Sequence, residues 1–330
     1  MILVTGATGF IGGQLVLKLL ALGRRVRVLA RRPDKVVSAF GRLAGRLDVA
    51  VGDLGDANSL VEAVRGVEQI YHCASWISYK DPAERVWEVN VGGTTRLMEA
   101  ACAAGVRRAV HMSSVAAGGP AVALPGGGWR GRTEEDPCEP LDDPYGQSKL
   151  EQERIVLGFV ERGLEVVVVR PSAVFGPGDP DGINMLLKMV RRGRLPFYLG
   201  GRATPVNVVP VAHVVDGCIA AMDRGRPGQI YNLVGPNVTH EQLFRILAEV
   251  SGGRTPSFVM PTVVLRGAAA LVAGTVGLFR TPPVHPNDIR SWTSPWMASA
   301  EKARAELGVE CSDLREAWED TLIWLDAEGH

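Results

Sequence analysis

Residues 4–13 read Val-Thr-Gly-Ala-Thr-Gly-Phe-Ile-Gly-Gly, directly behind the apolar start Met1-Ile2-Leu3. Glycines at positions 6, 9 and 12, between a short apolar run and a helical pattern, mark a strand handing over to a helix through a turn that something approaches closely. In a doubly wound sheet, the helix after the first strand aims its N-terminal N–H groups and the positive end of its dipole at an anion. A side chain in that turn would hold a pyrophosphate away, so glycine is required. The pattern predicts a dinucleotide seat at Gly6, Thr8, Gly9, Phe10, Ile11 and Gly12.

The rhythm downstream agrees. Short apolar runs at 1–5, 26–30, 48–51, 69–73, 108–112 and 165–170 alternate with helical spacing at 11–22, 57–65, 83–104 and 144–162. Continuous apolar strands interleaved with helices specify an α/β fold, a doubly wound parallel (Rossmann) sheet covered on both faces. Gly23, Gly66, Gly105 and Gly163 stand where left-handed helix caps are expected. Beyond Arg170 the chain turns rich in Pro and Gly, with helical spacing again at 240–251. The run 262–279 is apolar but broken by Arg266. A membrane span needs about 20 uninterrupted apolar residues, so this run is read as a helix over an apolar pocket. The expected division is 1–172 plus about 206–234 for the dinucleotide-binding domain. About 173–205 and 235–330 form a smaller, discontinuous C-terminal substrate domain.

Composition excludes several classes. The 36 basic and 36 acidic residues balance, which argues against a nucleic-acid partner. Five scattered cysteines without a Cys-x-x-Cys pair fit neither a disulfide framework nor a zinc site, and the six histidines show no ligand spacing, so no metal is expected. No basic segment precedes the first strand, so a cytoplasmic location is expected.

The stretch Asp143-Pro144-Tyr145-Gly146-Gln147-Ser148-Lys149 carries the strongest chemical signal. Asp143 reads as an N-cap and Pro144 as the first helical residue, which puts Tyr145 in the first turn. Lys149, four residues on, shares its helix face. A free phenol titrates near pH ~10. A neighbouring ammonium is expected to lower that value and make Tyr145 a usable proton donor and acceptor.

These motifs together resemble the extended short-chain dehydrogenase/reductase (NAD-dependent epimerase/dehydratase) superfamily, closest in type to 3β-hydroxysteroid dehydrogenases and dihydroflavonol reductases. The resemblance rests on Thr5-Gly6-x-x-Gly9-x-x-Gly12, Gly52-Asp53-Leu54, Cys73-Ala74-Ser75, Asn90-Val91-Gly92-Gly93-Thr94, Tyr145-x-x-x-Lys149 and Arg170-Pro171, across about residues 1–235. It implies that Asp53 and Leu54 lie at the adenine, and that Cys73, Ala74, Ser75, Pro171 and Val174 line the coenzyme cleft. Lys149 would bond the nicotinamide ribose. The resemblance also calls for a hydroxyl at the end of the fifth strand. It gives Ser114 the catalytic place, with Ser113 as the alternative, and makes Asn90 a supporting residue. A homodimer through the helices at 83–104 and 144–162 is implied in the same way.

The second strand ends in Ala30-Arg31-Arg32, where an NAD-preferring enzyme needs a carboxylate for the ribose 2′-hydroxyl. Two guanidiniums suit a 2′-phosphate instead, so NADP(H) is favoured over NAD(H). The expected function is hydride transfer between a ketone or aldehyde and an alcohol on a hydrophobic (steroid-, flavonoid- or lipid-like) substrate, with Tyr145 as general acid and base. Trp76, Tyr79, Trp87 and Trp129 supply apolar surface for it, and a peripheral membrane contact is left open. Ser114-Val115-Ala116-Ala117 carries no acid, which disfavours sugar dehydration. A nucleotide-sugar epimerase with tightly bound NAD and a non-catalytic NADP-binding regulator are the alternatives. His213 is read as packing or as touching substrate.

Overall fold

A computed structural model describes residues 1–77, 81–179, 182–265, 267 and 286–329. Seven parallel strands make the large sheet: β1 (Ile2–Thr5), β2 (Val26–Ala30), β3 (Asp48–Val51), β4 (Gln69–His72), β5 (Arg108–Met112), β6 (Glu165–Pro171) and β7 (Ile230–Leu233). Their order in space is β3-β2-β1-β4-β5-β6-β7. After β3 the chain crosses back to the other side of β1, so the strand order reverses between β1 and β4. In open α/β sheets a ligand crevice forms at such a reversal, outside the C-terminal strand ends.

Burial follows the same logic. All residues of β1 and β5 are buried, whereas both ends of the edge strand β3 are exposed. Side chains alternate across the sheet. Ile2 and Val4 join α1 (Phe10–Ala21) and the helix Val211–Arg224 on one face, through Leu15, Val16, Val214 and Cys218. Leu3, Ile70, Ala109 and Val166 pack on the opposite face against Leu97 and Ala101 of α2 (Gly93–Ala103) and Val156 of α3 (Pro144–Gly158).

The helix expected at 83–104 is not uniform. Ala83–Trp87 is α-helical, Glu88–Gly92 forms a π turn, and α2 follows. The wider turn carries Asn90, whose buried side chain is used elsewhere, and π turns of this kind gather at functional positions.

Beyond β6 a second, three-stranded sheet forms. Ala173–Phe175 pairs in parallel with Pro205–Pro210, which pairs antiparallel with Asn237–Thr239. Its core stacks Phe175 on Trp318, with ring centroids 3.8 Å apart, beside Leu187, Leu243 and Leu247. The helix expected at 240–251 is present as His240–Ser251, started by a capping box at Thr239 and Gln242. Of the run 262–279, all but 262–265 and 267 lies outside the described residues, as does Tyr79. Among the described residues no helix is long and apolar enough to cross a membrane.

Candidate active site

The glycines of the first turn do different work. Gly6 has φ +69°, and a Cβ there would lie 2.7 Å from the Ala74 nitrogen and 2.8 Å from the Cys73 carbonyl carbon. A Cβ on Gly12 would fall on the Gly6 carbonyl, 2.8 Å from its carbon. Both positions are therefore demanded by backbone packing between β1, α1 and the end of β4. Gly9 differs: its Cβ would meet only the Gly6 oxygen, at 3.3 Å, and otherwise enter open space. Gly9 is also the N-cap of α1, no side chain caps it, and no acid sits in the first helical turn. A bare helix start with an open glycine face fits a phosphate group. Thr8 is exposed here, and Phe10 and Ile11 are half-buried.

At the rim, Arg31 and Asp53 form an exposed ion pair at 3.7 Å. Arg32 instead grips Asp34 at 2.6 Å, so its guanidinium is already engaged. Asp53 also accepts the Gly55 N–H at 2.7 Å, and Leu54 is buried beneath Gly93. Pro171 ends β6, and Val174 is half-buried in the strand that follows. Burial pushes the Cys73 thiol up to about 12 against the pull of Lys149.

Asp143 caps α3 through the Gly146 N–H at 2.8 Å, with Pro144 as the first helical residue. That start brings Tyr145 and Lys149 to the end of β5. The Lys149 amine donates to the Met112 carbonyl at 2.7 Å. Ser114 caps the short helix Val115–Gly118 by accepting the Ala116 N–H at 3.1 Å, and its hydroxyl is hydrogen-bonded to the Tyr145 phenol. Ser113 turns the other way and donates to Glu153. Of the two serines, Ser114 is the one that meets Tyr145.

One electrostatic expectation is corrected. Burial pushes the Tyr145 phenol up to about 12; the Ser114 hydrogen bond opposes this and the Asp143 charge adds to it. The amine of Lys149 is committed to a carbonyl of β5, which the i to i+4 spacing alone does not reveal. Burial lowers Lys149 itself to about 8, with Glu153 and then Cys73 pulling it back up.

Asn90 holds the site's floor. Its Oδ1 accepts the Trp76 N–H at 2.7 Å and the Ser75 hydroxyl at 3.2 Å. Its Nδ2 donates to the Trp76 carbonyl at 3.1 Å and to Ser148 Oγ at 3.0 Å. Ser148 in turn donates to the Tyr145 carbonyl at 2.8 Å. Gln152 Nε2 reaches the Asn90 carbonyl at 2.9 Å and Thr94 Oγ1 at 2.6 Å. The line continues through His72, whose Nε2 lies 2.9 Å from Thr94 Oγ1 and whose Nδ1 lies 2.7 Å from Thr5 Oγ1. A buried polar chain thus runs from the residue before Gly6 to the helix carrying Tyr145.

Sequence reasoning passed over Gln152, Thr94 and His72 in this chain. The one available signal was spacing, because Gln152 follows Lys149 by three positions on the same helix. Trp76 stands beside Asn90, and Trp129 is exposed in a short hairpin. His213 lines a crevice with Val234, Arg304 and Cys311, and none of Ser114, Tyr145 or Lys149 borders it.

Comparisons with known proteins agree with this fold. Residues 2–234 match the profile of the NAD dependent epimerase/dehydratase family. The chain is 35% identical over 333 residues to sterol demethylase protein B of Methylococcus capsulatus, covering 99% of this chain and 98% of that one. It is 30% identical over 334 residues to a 3 beta-hydroxysteroid dehydrogenase/Delta 5-->4-isomerase of Mycobacterium tuberculosis, covering 94% and 85%. The fold is also similar to that of MoeE5 in complex with UDP-glucose and NAD, with a TM-score of 0.76 and 28% identity over 100% of this chain and 99% of that one.

Proposed function

The chain belongs to the NAD dependent epimerase/dehydratase family and is an NAD(P)-dependent oxidoreductase; from that premise we propose that it interconverts a carbonyl and an alcohol on a hydrophobic, steroid-like substrate, with NADP(H) favoured over NAD(H). The observation that carries this reading is the hydrogen bond between half-buried Ser114 and buried Tyr145, beside buried Lys149 and at the same strand edge as the open Gly9 turn.

Tyr145 is the proton donor to the substrate oxygen, and Ser114 holds that oxygen and steadies its developing charge. A phenol held up at about 12 is fully protonated at neutral pH, the form a carbonyl reduction needs. Lys149 anchors the coenzyme ribose, and Asn90 keeps α3 and the 75–76 loop in place. The coenzyme supplies the hydride. Gly6, Thr8, Gly9, Phe10, Ile11 and Gly12 would hold its phosphates, Asp53 and Leu54 its adenine, and Cys73, Ala74, Ser75, Pro171 and Val174 its remaining length.

Two relatives named for sterol or steroid chemistry support the substrate class. The test is turnover of a panel of 3-hydroxysterols and UDP-sugars with NADP, and of aryl carbonyls with NADPH, followed at 340 nm. Net reduction of NADP with a sterol is expected. Conversion of the UDP-sugars alone, with no net change in coenzyme, would replace this reading by the epimerase with tightly bound NAD, the alternative that the likeness to MoeE5 favours.

Arg31 carries the coenzyme preference, because its exposed pair with Asp53 is loose at 3.7 Å, whereas Arg32 is held by Asp34 at 2.6 Å. Arg31→Ala is expected to weaken NADPH binding about tenfold while leaving NADH binding unchanged, a loss typical of one charge-assisted contact. Fluorescence titration with both coenzymes measures it. A wild-type preference for NADH would overturn the assignment.

A further inference from the structure

Behind Tyr145 lies a buried charged pair. Arg170, at the end of β6, grips Glu153 of α3 with two parallel hydrogen bonds, Nε to Oε1 at 2.8 Å and Nη2 to Oε2 at 2.6 Å. Their side chains are 2% and 3% exposed. Arg170 Nη2 also lies 3.2 Å from Cys138 Sγ. The same carboxylate accepts the hydroxyl of Ser113, whose N–H donates to the Val169 carbonyl at 2.8 Å. Ser113 immediately precedes Ser114, and Glu153 follows Lys149 by one helical turn. A single carboxylate therefore joins the ends of β5 and β6 to the helix bearing Tyr145.

Taking a carboxylate and a guanidinium out of water is expensive, and well-packed apolar residues often hold a fold as firmly as such a pair. We propose that Glu153 is a positioning residue for the Ser114–Tyr145–Lys149 site: clamped by Arg170, it fixes the strand end bearing Ser114 against α3, with its carboxylate one helical turn from Lys149 on the same helix. The inference rests on the catalytic reading above for its consequence in turnover, but the charge on Lys149 is measurable without substrate.

The surroundings of Lys149 leave its counter-charge to Glu153. From β4 it faces His72, from the residue after β4 it faces Cys73, and from β5 it faces His111. Burial keeps both imidazoles and the thiol uncharged. Arg170 grips the same carboxylate and is not among the charges that act appreciably on Lys149. Glu153 is the leading influence that raises Lys149 against its burial.

The chain has six lysines, few enough for each to be followed by NMR of the intact protein labelled with 13C at the lysine Cε, assigned by Lys→Arg replacement. Wild-type Lys149 should titrate near about 8. In Glu153→Gln its midpoint should fall by about one pH unit, the usual scale for losing a nearby opposite charge. Glu153→Asp, which keeps the charge, should recover most of that fall. If Glu153→Gln does not fold, Glu153→Gln combined with Arg170→Met removes both buried charges, and the midpoint should move in the same direction. An unmoved Lys149 in a folded Glu153→Gln protein overturns the proposal. So does an equal fall in the Asp and Gln variants, which would assign Glu153 to packing alone. Once a substrate is in hand, the alkaline limb of the kcat profile should shift with the lysine midpoint. Absence of turnover with the whole panel would count against the oxidoreductase reading and leave the lysine titration intact.

Discussion

Tyr145→Phe is expected to lower kcat about 10³-fold, within the range for removing a general acid, while coenzyme affinity and melting temperature stay near wild type. The substitution deletes one oxygen. What it removes is the proton donor and the hydroxyl partner of Ser114, since the ring keeps its buried place. Ser114 retains the Ala116 N–H, and Lys149 retains the Met112 carbonyl, so nothing else in the site loses its support. A fall smaller than about tenfold would take Tyr145 out of the chemistry. A biological effect that survives the change undiminished would favour the non-catalytic regulator. The pH dependence follows from the same groups. The phenol keeps its proton up to about 12, whereas the ammonium of Lys149 loses its own near about 8. Reduction should therefore run level through neutral pH and decline above about 8, a profile that steady-state rates at saturating coenzyme would show.

Gly12→Ala and Gly9→Ala should separate the architecture of the first turn from its ligand. At Gly12 the new methyl would overlap the Gly6 carbonyl, backbone against backbone, and no rotamer relieves the clash. A loss of about 3 kcal/mol is expected, in the upper range for single substitutions, with a clear fall in melting temperature. At Gly9 the methyl meets one oxygen at 3.3 Å and then open space. Stability should hold while NADPH affinity falls about 100-fold, because a methyl on the helix start keeps a phosphate from its amides. Thermal melts and coenzyme titrations on the two variants check both halves. A Gly9→Ala protein that binds NADPH as wild type does would show that phosphates sit elsewhere.

Much of this was legible in the sequence because it depended on local pattern. Unbroken apolar strands such as Val166–Val169 revealed the parallel sheet. The interval between Gly6, Gly9 and Gly12 revealed the turn, and Asp143-Pro144 the start of α3. The helix 83–104 reads as continuous because a π turn leaves no mark in apolar spacing; only the neighbours of Asn90 show why the backbone widens there. Glu151-Gln152-Glu153-Arg154 is a polar run with no apolar spacing to mark a buried side. Yet Gln152 and Glu153 are buried, since Thr94, Ser113 and Arg170 arrive from other elements to satisfy them. The spacing of Tyr145 and Lys149 placed both on one face but said nothing of the Met112 carbonyl that claims the amine.

The line from Thr5 through His72 and Thr94 has one more property. Burial, with a smaller push from Lys149, holds His72 down to about 3, so its ring carries a single hydrogen at any ordinary pH. That hydrogen sits on one nitrogen or the other, and the two threonine hydroxyls must orient to suit. The wiring thus has a polarity, and reversing it requires both ends to turn together. Any swap of the Gly-rich turn for one from another protein inherits that requirement: a donor sequence lacking a hydroxyl at position 5 would strand an imidazole nitrogen in the dark interior, with consequences felt at the far end of the line.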